Sequence, residues 1–375
     1  MESFNFADLV NQSVKGVHPG EILAGQLSDN GLSQKELASL IGKSTPVIND
    51  IIKGRRDINA EIAVLLENVF SLKAEEWMKY QVAYDIDKMR NRDEVKEQAS
   101  CIKDWNVIKE EVNMTQMKKD VTFTGRLKED IKAIYDYADV SGIDEFTQLS
   151  TSKKKCFKKS MKLQTDEHNL FTWVLRARHL SKTQPALATA FDPRKSQELE
   201  NKLNNLIYYN KVDVEQQVEK TLNEYGIHYV SLEHLPKVPL DGYAFWKGAN
   251  PTIVLTKRHN KIDNYAFSLM HELGHVNLHL VNDHDGDFID IEKETPSIDK
   301  EAEANEFAQK ALSRGHAEDL LALYKKLKNP YVASKVFTNL APRIGINPSI
   351  LAGQYQHYRG AYSICRDIIQ HIAEN

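Results

Sequence analysis

The chain has 375 residues, 41% of them hydrophobic and 27% charged, enough for two or three cored domains of roughly 100 to 200 residues each. A net charge of -4 at pH 7 and a pI near 6.4 leave no chain-wide basic footprint, so nucleic-acid binding has to come from one local patch. Cys101, Cys156 and Cys365 are far apart and show no C-x-x-C spacing, which argues against a disulfide framework or a thiolate metal site and suits a reducing cytosol.

The N-terminus, Met1-Glu-Ser-Phe-Asn-Phe-Ala-Asp, has no basic segment leading into an apolar one, and no run of 18 apolar residues occurs. Neither export nor a membrane span is expected, and a cytoplasmic location follows. Residues 18 to about 90 alternate short apolar-periodic segments with Gly, Ser and Pro punctuation, which predicts a compact all-helical module. Within it, Ser33-Gln-Lys-Glu36 is a capping box ahead of Leu37-Ala-Ser-Leu-Ile41, because hydroxyl and carboxylate can each satisfy an exposed amide at a helix start. Gly42 ends this helix, Ser44 can cap the next, Pro46 fits its first turn and Gly54 closes it. Ala38 is small at the expected helix crossing, and Ile48 and Ile51 face inward, as a helix-turn-helix requires.

In that geometry the second helix enters the major groove N-terminus first. Lys43, Ser44, Thr45, Val47 and Asn49 then become candidates for base or phosphate contact, with Lys53, Arg55 and Arg56 near the phosphate backbone. The plain alternative is a helical hairpin with a solvated basic end. His18-Pro-Gly-Glu-Ile-Leu, Gly31-Leu-Ser-Gln-Lys-Glu-Leu-Ala, Ile51-Ile-Lys-Gly-Arg-Arg-Asp-Ile and Trp77-Met-Lys-Tyr-Gln-Val-Ala-Tyr-Asp together resemble the HigA class of Xre-type helix-turn-helix antitoxins over residues 17 to 90. The resemblance implies binding to double-stranded operator DNA as a homodimer reading two half-sites. It also implies neutralisation of a toxin encoded nearby.

From about 88 to 130 the sequence is charge-rich with scattered apolar positions, suiting a solvated helix or connector. Residues 127 to 225 keep helical spacing, for example Leu127, Ile131, Ile134, Tyr135 and Ala138. The lysine run Lys153 to Lys155, Lys158, Lys159 and Lys162 reads as a solvated helix face rather than a nucleic-acid patch. Short β-rich runs follow at 227–231, 243–246 and 252–256. The expected organisation is a helix-turn-helix domain over 1–90, a helical connector region over 91–200 and a catalytic-type domain over 201–375, mainly α with a small β-sheet (α+β).

Tyr265-Ala-Phe-Ser-Leu-Met-His-Glu-Leu-Gly-His275 contains the gluzincin-type H-E-x-x-H. Two imidazoles four residues apart on a helix can reach one metal ion, while the Glu between them addresses water. A catalytic zinc needs a third protein ligand. Glu301, at the start of a helical run to Leu312, can complete a His271, His275, Glu301 set, and Asn305 one turn later can hydrogen-bond back toward His275. Glu303 is the reserve ligand, and the plain alternative is that these acids only complement the helix dipole. A metzincin reading fails because Leu278 and Val281 stand where Gly and His are needed, which leaves His279 a packing or outer-sphere role. Asp283-His-Asp-Gly-Asp287 lacks the glycine and glutamate positions of a calcium loop and reads as a solvent turn.

The 265–279 run, followed by Glu301-Ala-Glu-Ala-Asn-Glu-Phe-Ala308, Asp241-Gly-Tyr-Ala and residues 340–357, resembles the ImmA/IrrE metallopeptidases over about 200–360. The resemblance implies Zn2+ on His271, His275 and Glu301, Glu272 as general base, and cleavage of a helix-turn-helix repressor or similar protein regulator. One departure is Gln309-Lys-Ala-Leu-Ser-Arg-Gly315 where the family has an apolar stretch ending in Leu-Met-Pro, a difference that bears on the apolar wall beside the active-site helix and so on substrate preference more than on metal binding. His259, Tyr243 and His357 are candidates for oxyanion stabilisation. The competing functional reading is a non-catalytic antitoxin whose zinc-site domain senses a ligand or binds a toxin.

Overall fold

The structure, a computed structural model, describes residues 16–160, 165–258, 260–281 and 297–372, without the side chains of 155–160, 247 and 297–299. It is mainly α-helical with one three-stranded sheet, and its contacts divide it into two compact units, Met1–Lys103 and Asp104–Asn375.

The first unit holds α1 (Pro19–Asp29), α2 (Gln34–Leu40), α3 (Thr45–Ile52), α4 (Ala60–Glu67) and α5 (Ala74–Arg90). Three of these starts are capped by a side chain. His18 accepts the Gly20 amide through Nδ1 at 2.9 Å ahead of α1, and Asn59 caps α4 through the Ile62 amide. At α2 the reciprocal capping box is formed, with the Glu36 amide donating to Ser33 Oγ (3.2 Å) and the Ser33 amide to Glu36 Oε2 (2.8 Å). Gly42 takes a left-handed φ of 66° in the turn between α2 and α3, a conformation costly for a residue with a Cβ. Leu23, Leu37, Ala38, Ile48, Ile51, Ile62, Leu66 and Trp77 form the core. The expected two-helix motif is present, except that Ser44 occupies the N-cap of α3 without a side-chain capping bond.

α6 (Asp93–Glu111) runs across the division at Lys103/Asp104. The second unit continues with α7 (Met114–Asp120), α8 (Leu127–Ala138), α9 (Ile143–Ser160), α10 (Glu167–Thr183), α11 (Ser196–Tyr209) and α12 (Val214–Glu224). Next come β1 (His228–Leu232), β2 (Gly242–Lys247), β3 (Asn250–Thr256) and α13 (Ile262–His275), the last prolonged by a π-helical turn, Val276–Leu280. Then follow α14 (Ser297–Ser313), α15 (Ala317–Lys326), α16 (Pro330–Ile344) and α17 (Pro348–Arg359). The sheet order is β1-β3-β2, with β1 parallel and β2 antiparallel to β3.

Alternation along the strands splits their side chains between two helical layers. Tyr229, Ala244, Ile253 and Leu255 join the core with Leu269, Met270 and Leu273 of α13. Val230, Tyr243, Phe245 and Val254 pack instead with Leu170, Trp173, Val174 and Ala177 of α10. The described part of 91–200, expected as a helical connector, is mostly helical, and from Asp104 onward it belongs to this second unit, where α10 covers one sheet face.

The lysine run is not uniformly solvated. Lys153 is buried and Lys154 is bonded to Glu111 at 2.6 Å, with Ser150 also donating to that carboxylate. Glu111, a carboxylate on the neighbouring helix α6, thus meets Lys154 and Ser150 on this face of α9. The side chains of Lys155, Lys158, Lys159 and Lys162 lie outside the described residues.

Candidate metal centre and helix-turn-helix surface

α13 presents His271 and His275 one turn apart, and α14 crosses it closely enough to bring a carboxylate to both. The closeness has a local cause at Gly274, where a Cβ would stand 3.2 Å from the Ala304 Cα and 3.1 Å from Phe307 Cδ1. Bare backbone on one helix against Ala304 on the other lets the helices approach. His271 Nε2 then lies 3.0 Å from His275 Nε2, and Glu301 lies 3.4 Å from His271 and 3.6 Å from His275. The three ligand atoms fall within 4.8 Å of one another, the only such His/Cys/Asp/Glu group among the described residues.

The groups behind the ligands differ from expectation at one point. Asn305 Oδ1 meets Nδ1 of His271 at 3.1 Å, not His275. His275 Nδ1 is already engaged by His279 Nδ1 at 2.9 Å, and His279 Nε2 meets Glu303 at 2.9 Å. Glu303, the reserve ligand, therefore sits behind His279 and outside the three-ligand group.

Glu272 is buried beside this group, against the first residue of β2. A Cβ on Gly242 would come within 2.4 Å of Glu272 Oε1 and 2.6 Å of its Cγ, so the glycine is what leaves room for the carboxyl. Burial pushes the Glu272 pKa up to about 8, opposed by His271 and reinforced by Glu301 and Asp241. Burial also pushes His275 down to about 2, helped by the neighbouring His271, His279 and Lys300. His271 suffers the same desolvation, yet its contact with Glu301, the charge of Glu272 and the Asn305 bond outweigh it and leave its pKa raised. Two neutral-capable imidazoles and a carboxylate converging on one point form a donor set suited to zinc.

The oxyanion candidates fare differently. Tyr243 points to the other sheet face, stacked on Phe245 at 4.8 Å and edge-on to Trp173 at 6.4 Å, because strand alternation sends it away from α13. His357 is exposed on α17 beside Tyr362. His259 and the 283–287 acidic turn lie outside the described residues.

On the helix-turn-helix, Ser44, Thr45, Lys53, Arg55 and Arg56 are exposed, and Asn49 is half-buried. Val47 packs partly against the core. Lys43 is held by Glu61 of α4 at 2.6 Å, a pairing that the local sequence gave no sign of.

Comparison with known proteins follows the same division. Residues 29–77 match the helix-turn-helix family, and residues 223–313 match the IrrE N-terminal-like domain. Virulence-associated protein I of Dichelobacter nodosus is 40% identical over 78 residues, 20% of this chain and 71% of that protein. The chain belongs to the Xre-type helix-turn-helix family and carries an IrrE-type peptidase-family domain.

Among solved structures, the Pseudomonas aeruginosa antitoxin HigA with higBA promoter is 34% identical, covering 20% of this chain and 83% of that one at a TM-score of 0.20. An addiction module antidote protein of the HigA family from Coxiella burnetii is 31% identical, covering 26% and 97% respectively, again at 0.20. The IrrE-type match contains His271, His275 and Glu301. No helix among the described residues is long and apolar enough to cross a membrane.

Proposed function

We propose that this Xre/IrrE-type protein is a cytoplasmic transcriptional regulator that binds operator DNA through α2 and α3 and cuts a protein regulator with a zinc-dependent endopeptidase centre. The observation that carries the peptidase reading is the convergence of His271, His275 and Glu301 ligand atoms within 4.8 Å, beside a buried Glu272 whose pKa is lifted to about 8. His271, His275 and Glu301 would hold the ion, and both imidazoles are braced from behind on their Nδ1 side. When bound, zinc supplies polarisation of a peptide carbonyl and a lowered pKa for the attacking water.

The remaining work falls to this chain's own groups. Glu272 takes the proton from the attacking water and delivers it to the departing amine, a role its buried carboxyl beside the ligand group allows. Gly242 keeps the Glu272 carboxyl where burial holds it, and Asn305 orients His271.

On the DNA side, the N-terminal end of α3 with Lys43, Ser44, Thr45, Val47 and Asn49 addresses the major groove. Lys53, Arg55 and Arg56 address phosphates, and a homodimer reads two half-sites. Lys43 has to exchange Glu61 for phosphate or base on docking. The substrate is a DNA-bound protein regulator, an identical chain or one encoded beside this gene; a toxin encoded there would be a further partner.

The test is Glu272→Gln in the full chain, incubated with zinc and each neighbouring regulator. Zinc content should match the wild type while fragments disappear. Surviving cleavage would remove Glu272 from its role, and a wild type that binds zinc and operator but cuts nothing would favour a sensing antitoxin.

A further inference from the structure

The hydrogen bonds behind His275 form a chain whose direction follows from its far end. Glu303 is a carboxylate and only accepts, so His279 donates to it from Nε2 across 2.9 Å. A neutral imidazole has one N–H, which leaves His279 Nδ1 as an acceptor. The 2.9 Å contact between the two Nδ1 atoms then requires His275 to donate from Nδ1. Its remaining lone pair is on Nε2, the atom that faces His271 and Glu301. The reverse direction would aim a His279 lone pair at a carboxylate and place a proton on the His275 atom that faces the other ligands.

The arrangement is built into the backbone. The α-helix gives way to a π-helical turn at Val276–Leu280, directly after His275, a local widening that recurs at functional sites. His279 is buried one turn beyond His275, while Glu303 of α14 closes the chain from the exposed side. Asn305 performs the equivalent task on His271 in a single step, since its Oδ1 accepts from Nδ1.

We infer that His279 and Glu303 are positioning residues, acting in series to fix His275 in the one tautomer that offers Nε2 to a divalent cation. The inference rests on the reading that His271, His275 and Glu301 hold the metal. Partners of this kind are worth about 10- to 100-fold in metal affinity.

The experiment uses the full chain, stripped of metal and titrated with zinc against a chromophoric chelator at one fixed pH, with the unfolding temperature of the stripped chain as fold control. His279→Leu should weaken zinc binding by about 10- to 100-fold. His279→Asn, whose carbonyl can stand in for the Nδ1 acceptor, should recover most of the loss. A purely structural role would not distinguish acceptor from non-acceptor in this way. Glu303 is exposed, so its replacement leaves the fold intact: Glu303→Ala should weaken binding several-fold and Glu303→Gln much less.

Wild-type affinity in both His279→Leu and Glu303→Ala, or equal losses in His279→Leu and His279→Asn, would overturn the inference while leaving the metal reading standing. A wild type that takes up no zinc would overturn the metal reading itself.

Discussion

Replacing Gly242 by Ala tests the general-base assignment without altering any titratable group. The added Cβ would sit 2.4 Å from Glu272 Oε1, 2.6 Å from its Cγ and 2.8 Å from its Cδ, whereas ordinary contact begins at 3.4 Å. β2 is anchored by its ladder to β3 from Gly242↔Leu255 onward, so the side chain has to give way, by about 1 Å, a misplacement that costs on the order of 100-fold in rate. That equals about 2.7 kcal/mol of barrier. The assay is kcat and KM for cleavage of a neighbouring regulator, with zinc stoichiometry and unfolding temperature measured alongside. A kcat reduced about 100-fold with zinc still bound is the expected result. A Gly242→Ala chain that cleaves at the wild-type rate would refute the placement of Glu272 as the proton-transferring group.

Other consequences follow from single contacts. Zinc affinity should rise with pH through the raised pKa of His271 and on toward about 8, because the ion displaces the proton on His271 and disfavours the one on the buried Glu272; His275, pushed to about 2, adds no slope. Chelator competition between pH 5.5 and 8 reads this, and a flat profile would contradict it. In operator binding, Arg55→Ala and Arg56→Ala should each lower the slope of log affinity against log salt by about 1, leaving sequence preference unchanged. Gly20→Ala places a Cβ 1.9 Å from the Ile51 carbonyl oxygen, a backbone atom that cannot swing away. The first unit should lose its cooperative unfolding transition or melt well below wild type by circular dichroism, and an unchanged transition would refute this close approach of α1 to α3.

Local chemistry made much of this structure legible in advance. The capping box at Ser33–Glu36, the turn at Gly42 and the inward Ile48 and Ile51 are dictated by groups within a few residues of each other, and all three appear. The H-E-x-x-H spacing likewise fixes two imidazoles on one helix face without reference to the rest of the chain. Contacts across elements were harder to read. Asn305 reached His271 and not His275 because the crossing of α14 over α13, a contact between distant segments, decides which imidazole it meets, while His279 one turn further on holds His275 Nδ1. Tyr243 turned away because one residue of strand register decides the face, and the preceding Gly242 took the position beside Glu272. Lys153 and Lys154 looked solvated until a partner helix supplied Glu111 for Lys154.

The most direct measurement is cleavage by the full chain as zinc is removed and returned. With neighbouring regulators as substrates and fragments identified by mass spectrometry, stripping the metal should abolish cutting and one equivalent of zinc should restore it, in the wild type and not in Glu272→Gln. Cleavage that persists in the stripped chain would contradict the account, as would a fully zinc-loaded wild type that leaves every one of those regulators intact.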